Sequence, residues 1–216
     1  MPDKREVVIV GAARTAIGTF NGALKDIAAC ELGAHVVKAA FARAGVDPAQ
    51  AEQIVFGNVI HCEPRDMYVS RVVGINAGMS KDSSSLTLNR LCGSGMQAIV
   101  TAANAIQLGD CDVAVGGGVE TMSRGLYSIP AARWGARMGD GKLIDMMVGV
   151  LTDPFEPIHM GVTAENIAAK YGITREAQDA FALESQKRAA AAMANGHFKS
   201  QIEPFDDRGH PFDVSS

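Results

Sequence analysis

Short apolar runs that end at glycine alternate with stretches of helical spacing along the first half of this chain, and that rhythm leaves few folds open. Val7-Val8-Ile9-Val10 before Gly11, Ile54-Val55-Phe56 before Gly57, and Asp112-Val113-Ala114-Val115 before Gly116-Gly117-Gly118 read as buried strands. Ser84 to Asn89 is extended in character. Between them Leu32, Val36, Val37, Ala40, Phe41 and Ala44 recur at helical spacing, with Gly45 as the stop. Asp47 and Pro48 open a short helix. Val69, Val72, Val73 and Asn76 predict another helix between Asp66 and Met79. From Ser94 to Leu108 the stripe Met96, Ile99, Val100, Ala103 and Ile106 is backed by residues that are also small or apolar, which predicts a helix buried on most sides. Strands and helices in this alternation imply an α/β fold, with a mostly parallel or mixed sheet and helices on both faces, ending near Glu120.

Beyond that point the texture changes. Residues 121–145 mix Gly, Arg, Met and Pro without a period and read as irregular. Thr163–Lys170 and Thr174–Asn195 are helical, the second opened by a Thr174 cap and stopped at Asn195-Gly196. Residues after Phe198 read as strand-like, with Asp207-Arg208-Gly209 as a hairpin turn.

Composition narrows the function classes. Hydrophobic residues make up 47% and charged residues 20%, which excludes an overall disordered chain. The net charge of -4 and the lack of a long basic run argue against a nucleic-acid surface. No stretch is apolar enough to span a bilayer, so no membrane partner is expected. Cys30, Cys62, Cys92 and Cys111 contain no CxxC pair, hence no zinc site and no evident disulfide framework, as suits a reducing cytoplasm.

The stretch Leu88-Asn89-Arg90-Leu91-Cys92-Gly93-Ser94-Gly95-Met96-Gln97-Ala98 carries the chemistry. It places Cys92 between a strand and a helix start, where unpaired amides and the positive end of the helix dipole favour thiolate over thiol. Gly93 and Gly95 leave room for a substrate to approach backbone N–H groups that can face an oxyanion. On this local pattern an inert, buried cysteine is as good a reading as a nucleophile. Cys30, Cys62 and Cys111 open no glycine-flanked helix and read as inert. Gly116-Gly117-Gly118 lacks the third glycine of a dinucleotide loop, Thr121 standing in its place, and reads as a tight strand exit. Gly209-His210-Pro211 sits in an acidic tail, where His210 reads as a turn residue. Arg133, Arg137 and Lys142 are scattered surface cations.

Asn89-Arg90-Leu91-Cys92-Gly93-Ser94-Gly95 resembles the thiolase family, and further segments do so in the same order. These are Arg14-Thr15-Ala16-Ile17-Gly18, Phe56-Gly57-Asn58-Val59, Gly116-Gly117-Gly118-Val119-Glu120-Thr121-Met122-Ser123 and His159-Met160-Gly161-Val162-Thr163-Ala164-Glu165-Asn166. The likeness covers essentially the whole chain and is greatest to bacterial biosynthetic β-ketothiolases of the acetyl-CoA acetyltransferase type. It implies a thiolase-like fold, with residues 1–120 as the N-terminal core half and 121–216 as part of a loop domain that binds CoA and forms tetramers through residues 121–145. It implies that Cys92 takes an acyl group from acyl-CoA, that a second acetyl-CoA then condenses with it, and that thiolysis is the reverse. It also implies that His159 and Met160 lie along the pantetheine arm of CoA. On the same resemblance no metal or redox cofactor is required, CoA thioesters are the partners, and the full-length form is a dimer or tetramer in fatty acid or polyhydroxyalkanoate metabolism.

The family pattern is incomplete here. The activating histidine of a glycine-rich Gly-His-Pro run and the second cysteine of a Cys-x-Gly-Gly run are absent, and His210 does not replace the former. The resemblance therefore implies an N-terminal half that is inactive alone. The alternatives are a non-catalytic fragment or truncated paralogue that binds CoA or a full-length partner, and a condensing enzyme of the ketoacyl synthase type, whose motifs fit less well.

Overall fold

The computed structural model describes residues 5–205. Its backbone contacts form two compact units, one taking in the chain through Gly125 and resuming at Ile202, the other Leu126–Gln201. The sequence reading draws the division after residue 120 and assigns 121–216 to one domain. Backbone contacts place a division after Gly125 and group Ile202–Phe205 with the first unit.

The first unit is built from α1 (Ala29–Ala44), β1 (Gln53–Gly57), α2 (Val69–Asn76), β2 (Ser84–Leu88), α3 (Ser94–Leu108) and β3 (Ala114–Gly118). The three strands are parallel in the order β2-β1-β3, with Val55 opposite Leu86 on one side and Gly116 on the other. Successive β1 side chains point to opposite faces, as any strand requires. Ile54 and Phe56 join Cys30, Val37, Phe41, Val69 and Val73 in the core under α1 and α2. Val55 faces Ala98 and Ala102 of α3. Burying an aliphatic or aromatic side chain of this kind is worth roughly 1.5–3 kcal/mol, so the sheet and its helices are held mainly by these few residues. α1 stops where expected, with Gly45 left-handed at φ 64° and the Val46 N–H on the Phe41 carbonyl.

Four expectations for the first 125 residues change. Val7–Val10 belongs to no strand, and Val8, Ile9 and Val10 are 64%, 78% and 65% exposed. A β-branched run becomes a strand only when a ladder partner meets it. Here β3 keeps an open edge, and residues 7–13 line a cleft of about 400 Å³ with β3, α1 and α3. The helix predicted from Asp66 begins as a tight turn, Pro64–Tyr68, before α2. Gly116-Gly117-Gly118 forms the last three residues of β3, paired with Val55, Phe56 and Gly57, so the strand runs through the glycines before it exits. Finally, α3 is covered on one side only. Ala98, Ala102 and Ala105 are buried, while Met96, Val100 and Leu108 are 70%, 43% and 79% exposed.

The triple glycine is a packing device. A side chain at Gly116 would meet the α3 backbone, with Ile99 Cα 2.8 Å from its Cβ. At Gly117 it would meet the Phe56 ring at 2.6 Å. The strand lets α3 lie almost directly on its backbone, which sets how close the start of α3 comes to the sheet.

The second unit pairs β4 (Tyr127–Ser128) with β5 (Ile144–Asp145), followed by α4 (Met146–Val150), α5 (Met160–Tyr171) and α6 (Arg175–Ala194). α6 starts as read, with Thr174 Oγ1 accepting from the Ala177 N–H at 3.2 Å, and Gly196 turns left-handed after its end. No residue of Leu126–Gln201 is buried, so local capping and helix propensity hold these elements more than a core does. After Phe198 the described residues form turns and a single bridge, Arg14 to Ile202, in place of a strand. The hairpin turn at Asp207-Arg208-Gly209, and Gly209-His210-Pro211 with it, lie outside the described residues.

Candidate active site

Parallel strands bring their carboxyl ends to one edge of a sheet, where a crevice forms between the loops that leave them. Asn58 follows β1, Asn89 follows β2 and Val119-Glu120 follow β3. The loop after β2 runs directly into α3 and carries Cys92, which is exposed. Leu91, the residue before it, is left-handed at φ 48°. A non-glycine residue there costs roughly 1–2 kcal/mol, so the turn is sharp and held against relaxation.

Local hydrogen bonds hold it. Asn89 Oδ1 accepts from the Leu91 N–H at 2.9 Å, an Asx turn. Ser94 Oγ accepts from the Arg90 N–H at 2.8 Å and donates to the Leu91 carbonyl at 2.6 Å. The Gly93 N–H reaches the Arg90 carbonyl at 3.1 Å. The Arg90 guanidinium donates to Gln97 Oε1. Gly93 is the N-cap of α3 and supplies no capping side chain. The Gly93 and Ser94 N–H groups bond the Arg90 and Leu91 carbonyls at 3.1 and 3.0 Å, which leaves the amides of Gly95 and Met96 to donate to charge developing beside Cys92. A side chain at Gly95 would point into open space. The backbone beside the thiol is therefore open to an incoming group, as the two glycines suggested.

The other three cysteines are buried. Burial, then the Asp66 carboxylate, pushes the Cys30 thiol up to about 12 from its ordinary 9.0. Burial, then Asp66 and Glu120, pushes Cys62 up to about 11. Cys111 is raised by burial and then by Glu52, Asp110 and Asp112. Thiols held protonated in this way are poor nucleophiles, and Cys92 is the exposed one.

Two polar networks escaped the sequence reading. Asp66 is fully buried, accepting from the Cys62 and Glu63 N–H groups at 2.8 and 3.1 Å and from the Cys30 thiol at 3.6 Å. Glu120 is gripped by the Val59 and Ile60 N–H groups, both at 2.9 Å, and by Asn58 Nδ2 at 3.0 Å. Burial raises the Glu120 carboxyl above its usual range, although the two backbone N–H groups pull the other way. Asn58 and Glu120 belong to two of the quoted motifs, and the meeting of Phe56-Gly57-Asn58-Val59 with Val119-Glu120 is the available signal. Periodicity could not have shown it across 62 residues of sequence.

His159 and Met160 lie in the second unit, while Cys92 lies in the first. His159 caps α5, its Nδ1 accepting from the Gly161 N–H at 3.0 Å, which in a neutral ring puts the proton on Nε2. Met160 is 41% exposed on the first turn of α5. Among the described residues no group of three His, Cys, Asp or Glu could hold a metal, and no helix is long and apolar enough to cross a membrane.

Comparison with known proteins agrees with this geometry. The model of the thiolase N-terminal domain matches residues 7–211. Beta-ketothiolase BktB of Cupriavidus necator is 60% identical over 211 residues, covering 98% of this chain and 54% of that protein. An acetyl-CoA acetyltransferase of Syntrophomonas wolfei is 47% identical over 213 residues, covering 97% and 54%. The crystal structure of the Bacillus anthracis acetyl-CoA acetyltransferase superposes with a TM-score of 0.90 at 41% identity, covering 96% of this chain and 53% of that one. Human mitochondrial 3-ketoacyl-CoA thiolase in complex with CoA gives 0.89 at 36%, covering 95% and 55%. The chain spans about half the length of the curated relatives it matches.

Proposed function

The chain belongs to the thiolase family, and on that premise we propose that it supplies the nucleophilic half of an acyl-CoA acetyltransferase. Cys92 attacks the thioester carbonyl of acyl-CoA, the C–S bond to CoA breaks, and the acyl group passes to Cys92 while CoA leaves as the thiol. In the whole protein the α-carbon of a second acetyl-CoA, stripped of a proton, then attacks the S-acyl enzyme. Thiolysis of a 3-ketoacyl-CoA is the reverse. Dividing the transfer into two steps keeps the acyl group activated as a thioester throughout, and neither step calls for a metal or a redox cofactor.

The observation that carries this reading is the exposed Cys92 at a left-handed turn on the uncapped start of α3. His159 and Met160 are proposed as contacts for the pantetheine arm of CoA. The exposed Trp134 and Met138 support contacts between subunits, in a dimeric or tetrameric full-length protein, through residues 121–145. A cytoplasmic setting suits free thiols.

The 216 residues include neither the family's glycine-rich Gly-His-Pro run nor its Cys-x-Gly-Gly run. With no group to take the α-proton, the chain by itself acylates slowly and does not condense. Incubation with acetyl-CoA, followed by peptide mass mapping, should place one acetyl group on Cys92 and release free CoA, both lost in Cys92→Ala. Acetoacetyl-CoA thiolysis by the purified chain, abolished by that substitution, would show that it needs no further half. Acetylation of another residue, or of none, would overturn the assignment of the nucleophile.

A further inference from the structure

We propose that Ser94 is the positioning residue of the nucleophile, its hydroxyl clasping the turn so that Leu91 stays left-handed and Cys92 stays presented at the start of α3. The proposal rests on the reading of Cys92 as the reactive thiol and adds how the fold holds it there.

Ser94 sits inside the first turn of α3 yet caps none of its amides. Its Oγ is spent backwards, accepting from the Arg90 N–H at 2.8 Å and donating to the Leu91 carbonyl at 2.6 Å. One hydroxyl thus closes a ring around Leu91 and Cys92 and ties both sides of the left-handed residue. Leu91 cannot hold itself, since its side chain is 55% exposed and packing fixes it weakly. Leucine also has none of the short polar groups that make a left-handed residue tolerable.

Ser94 itself cannot move away, being 5% exposed and pressed against the end of β1. A Cβ placed on Gly57 would lie 2.6 Å from Ser94 Cβ and 2.8 Å from its carbonyl carbon. This gives the Phe56-Gly57-Asn58 segment a role that the proposed chemistry leaves unstated. Gly57 lets the serine sit hard against the sheet, and the sheet thereby anchors the turn. Backbone held in a sparsely populated region persists only where its surroundings over-determine it. The clasp, the Asn89 Asx turn, the Gly57 contact, and the backbone bonds from the Ser94 and Gly93 N–H groups to the Leu91 and Arg90 carbonyls are those surroundings.

The test needs no CoA, so its failure is separable from failure of the proposed function. The rate at which iodoacetamide alkylates Cys92 is measured by peptide mass mapping on the 216-residue chain, alongside the thermal midpoint. Ser94→Ala should slow alkylation about tenfold, the order set by the strain of a left-handed leucine. In the Leu91→Gly background, where the residue adopts the left-handed conformation freely, Ser94→Ala should change the rate less than about twofold, within the freedom glycine gains. A role confined to helix stability would slow both backgrounds alike. Equal slowing in the two backgrounds, or a wild-type rate in Ser94→Ala, overturns the proposal. If Ser94→Ala fails to fold in the leucine background, recovery of folding and labelling by adding Leu91→Gly supports the clasp, and its absence refutes it. A Cys92 that alkylates in this Ser94-dependent way but is never acetylated by acetyl-CoA would sink the functional reading and leave the clasp standing.

Discussion

Gly116→Ala tests the packing that sets the site, because it places one methyl group against a backbone that cannot rotate aside. The new Cβ would lie 2.8 Å from Ile99 Cα, 3.1 Å from Ile99 N and 3.2 Å from the Ala98 carbonyl oxygen. Carbon atoms rest at about 3.5–4.0 Å, so α3 must retreat by roughly 0.7 Å or more, and a gap of that size forfeits a quarter to a half of each contact's attraction. The contacts at risk are those of Ala98 and Ala102 with Val55, with Leu88 and Ala114 packed beside them. Overpacking costs about 1–3 kcal/mol in general, and a rigid backbone partner puts this case near the upper end. The loss of unfolded-state entropy on replacing glycine returns about 0.4–1 kcal/mol. The net is a destabilisation of about 2 kcal/mol, which in a chain of this length lowers the thermal midpoint by roughly 4–8 °C. Far-UV circular dichroism melts would read it, with Gly95→Ala as the control, since nothing lies within 4 Å of a Cβ there. The control should melt at or slightly above the wild-type temperature. A Gly116→Ala chain that melts with the control would refute the close approach of α3 to β3. It would also reopen the reading of Gly116-Gly117-Gly118 as a ligand loop.

Asp66→Ala should cost about 3 kcal/mol in urea unfolding, because it strands a buried N–H group, a half-buried one and a buried thiol. Asp66→Asn, which keeps one carbonyl oxygen, should cost less, and equal losses would show that the charge alone matters. Cys30 and Cys62, pushed up to about 12 and about 11 from 9.0, bind protons in the folded state that the unfolded chain has already released. Their contribution to stability is therefore complete below about pH 9 and is lost as pH rises from there through the folded values. The urea midpoint should fall between pH 8.5 and 10.5 (about the range that brackets unfolded thiol ionisation), and Cys30→Ala with Cys62→Ala should flatten that fall. Parallel curves for the two proteins would contradict it.

What the sequence made legible was local. α1 could be read because an apolar stripe runs unbroken into Gly45, and α6 because Thr174 offers a cap that the structure uses. Cys92 could be placed because a strand, a glycine pair and a helix meet within a few residues. Val7–Val10 is richer in β-branched residues than β1, yet only β1 is flanked by two strands that complete its ladder. Composition states a preference for extended backbone, and the neighbour decides whether it becomes a strand. α3 misled for a related reason. A helix whose stripe is backed by mostly small or apolar residues signals that something can cover most sides, but Met96, Val100 and Leu108 are exposed in the first unit.

The chemistry of the site followed the same division. That Cys92 differs from the other three cysteines is a matter of local pattern, visible as a glycine-flanked helix start. Why they stay inert is mostly not local, since it depends first on burial, and then on carboxylates that for Cys30 and Cys62 include Asp66 and Glu120 from other segments. The conformation of Leu91 was the least legible of all, because leucine seldom turns left-handed and nothing in its own side chain asks for it. The cause lies in Asn89, in the hydroxyl of Ser94, and in the missing side chain of Gly57, 34 residues before Leu91 in the numbering. A strained residue beside a nucleophile is thus a tertiary property written in its neighbours, and the motif around Cys92 is better understood as a turn with its fastenings than as a cysteine with a context.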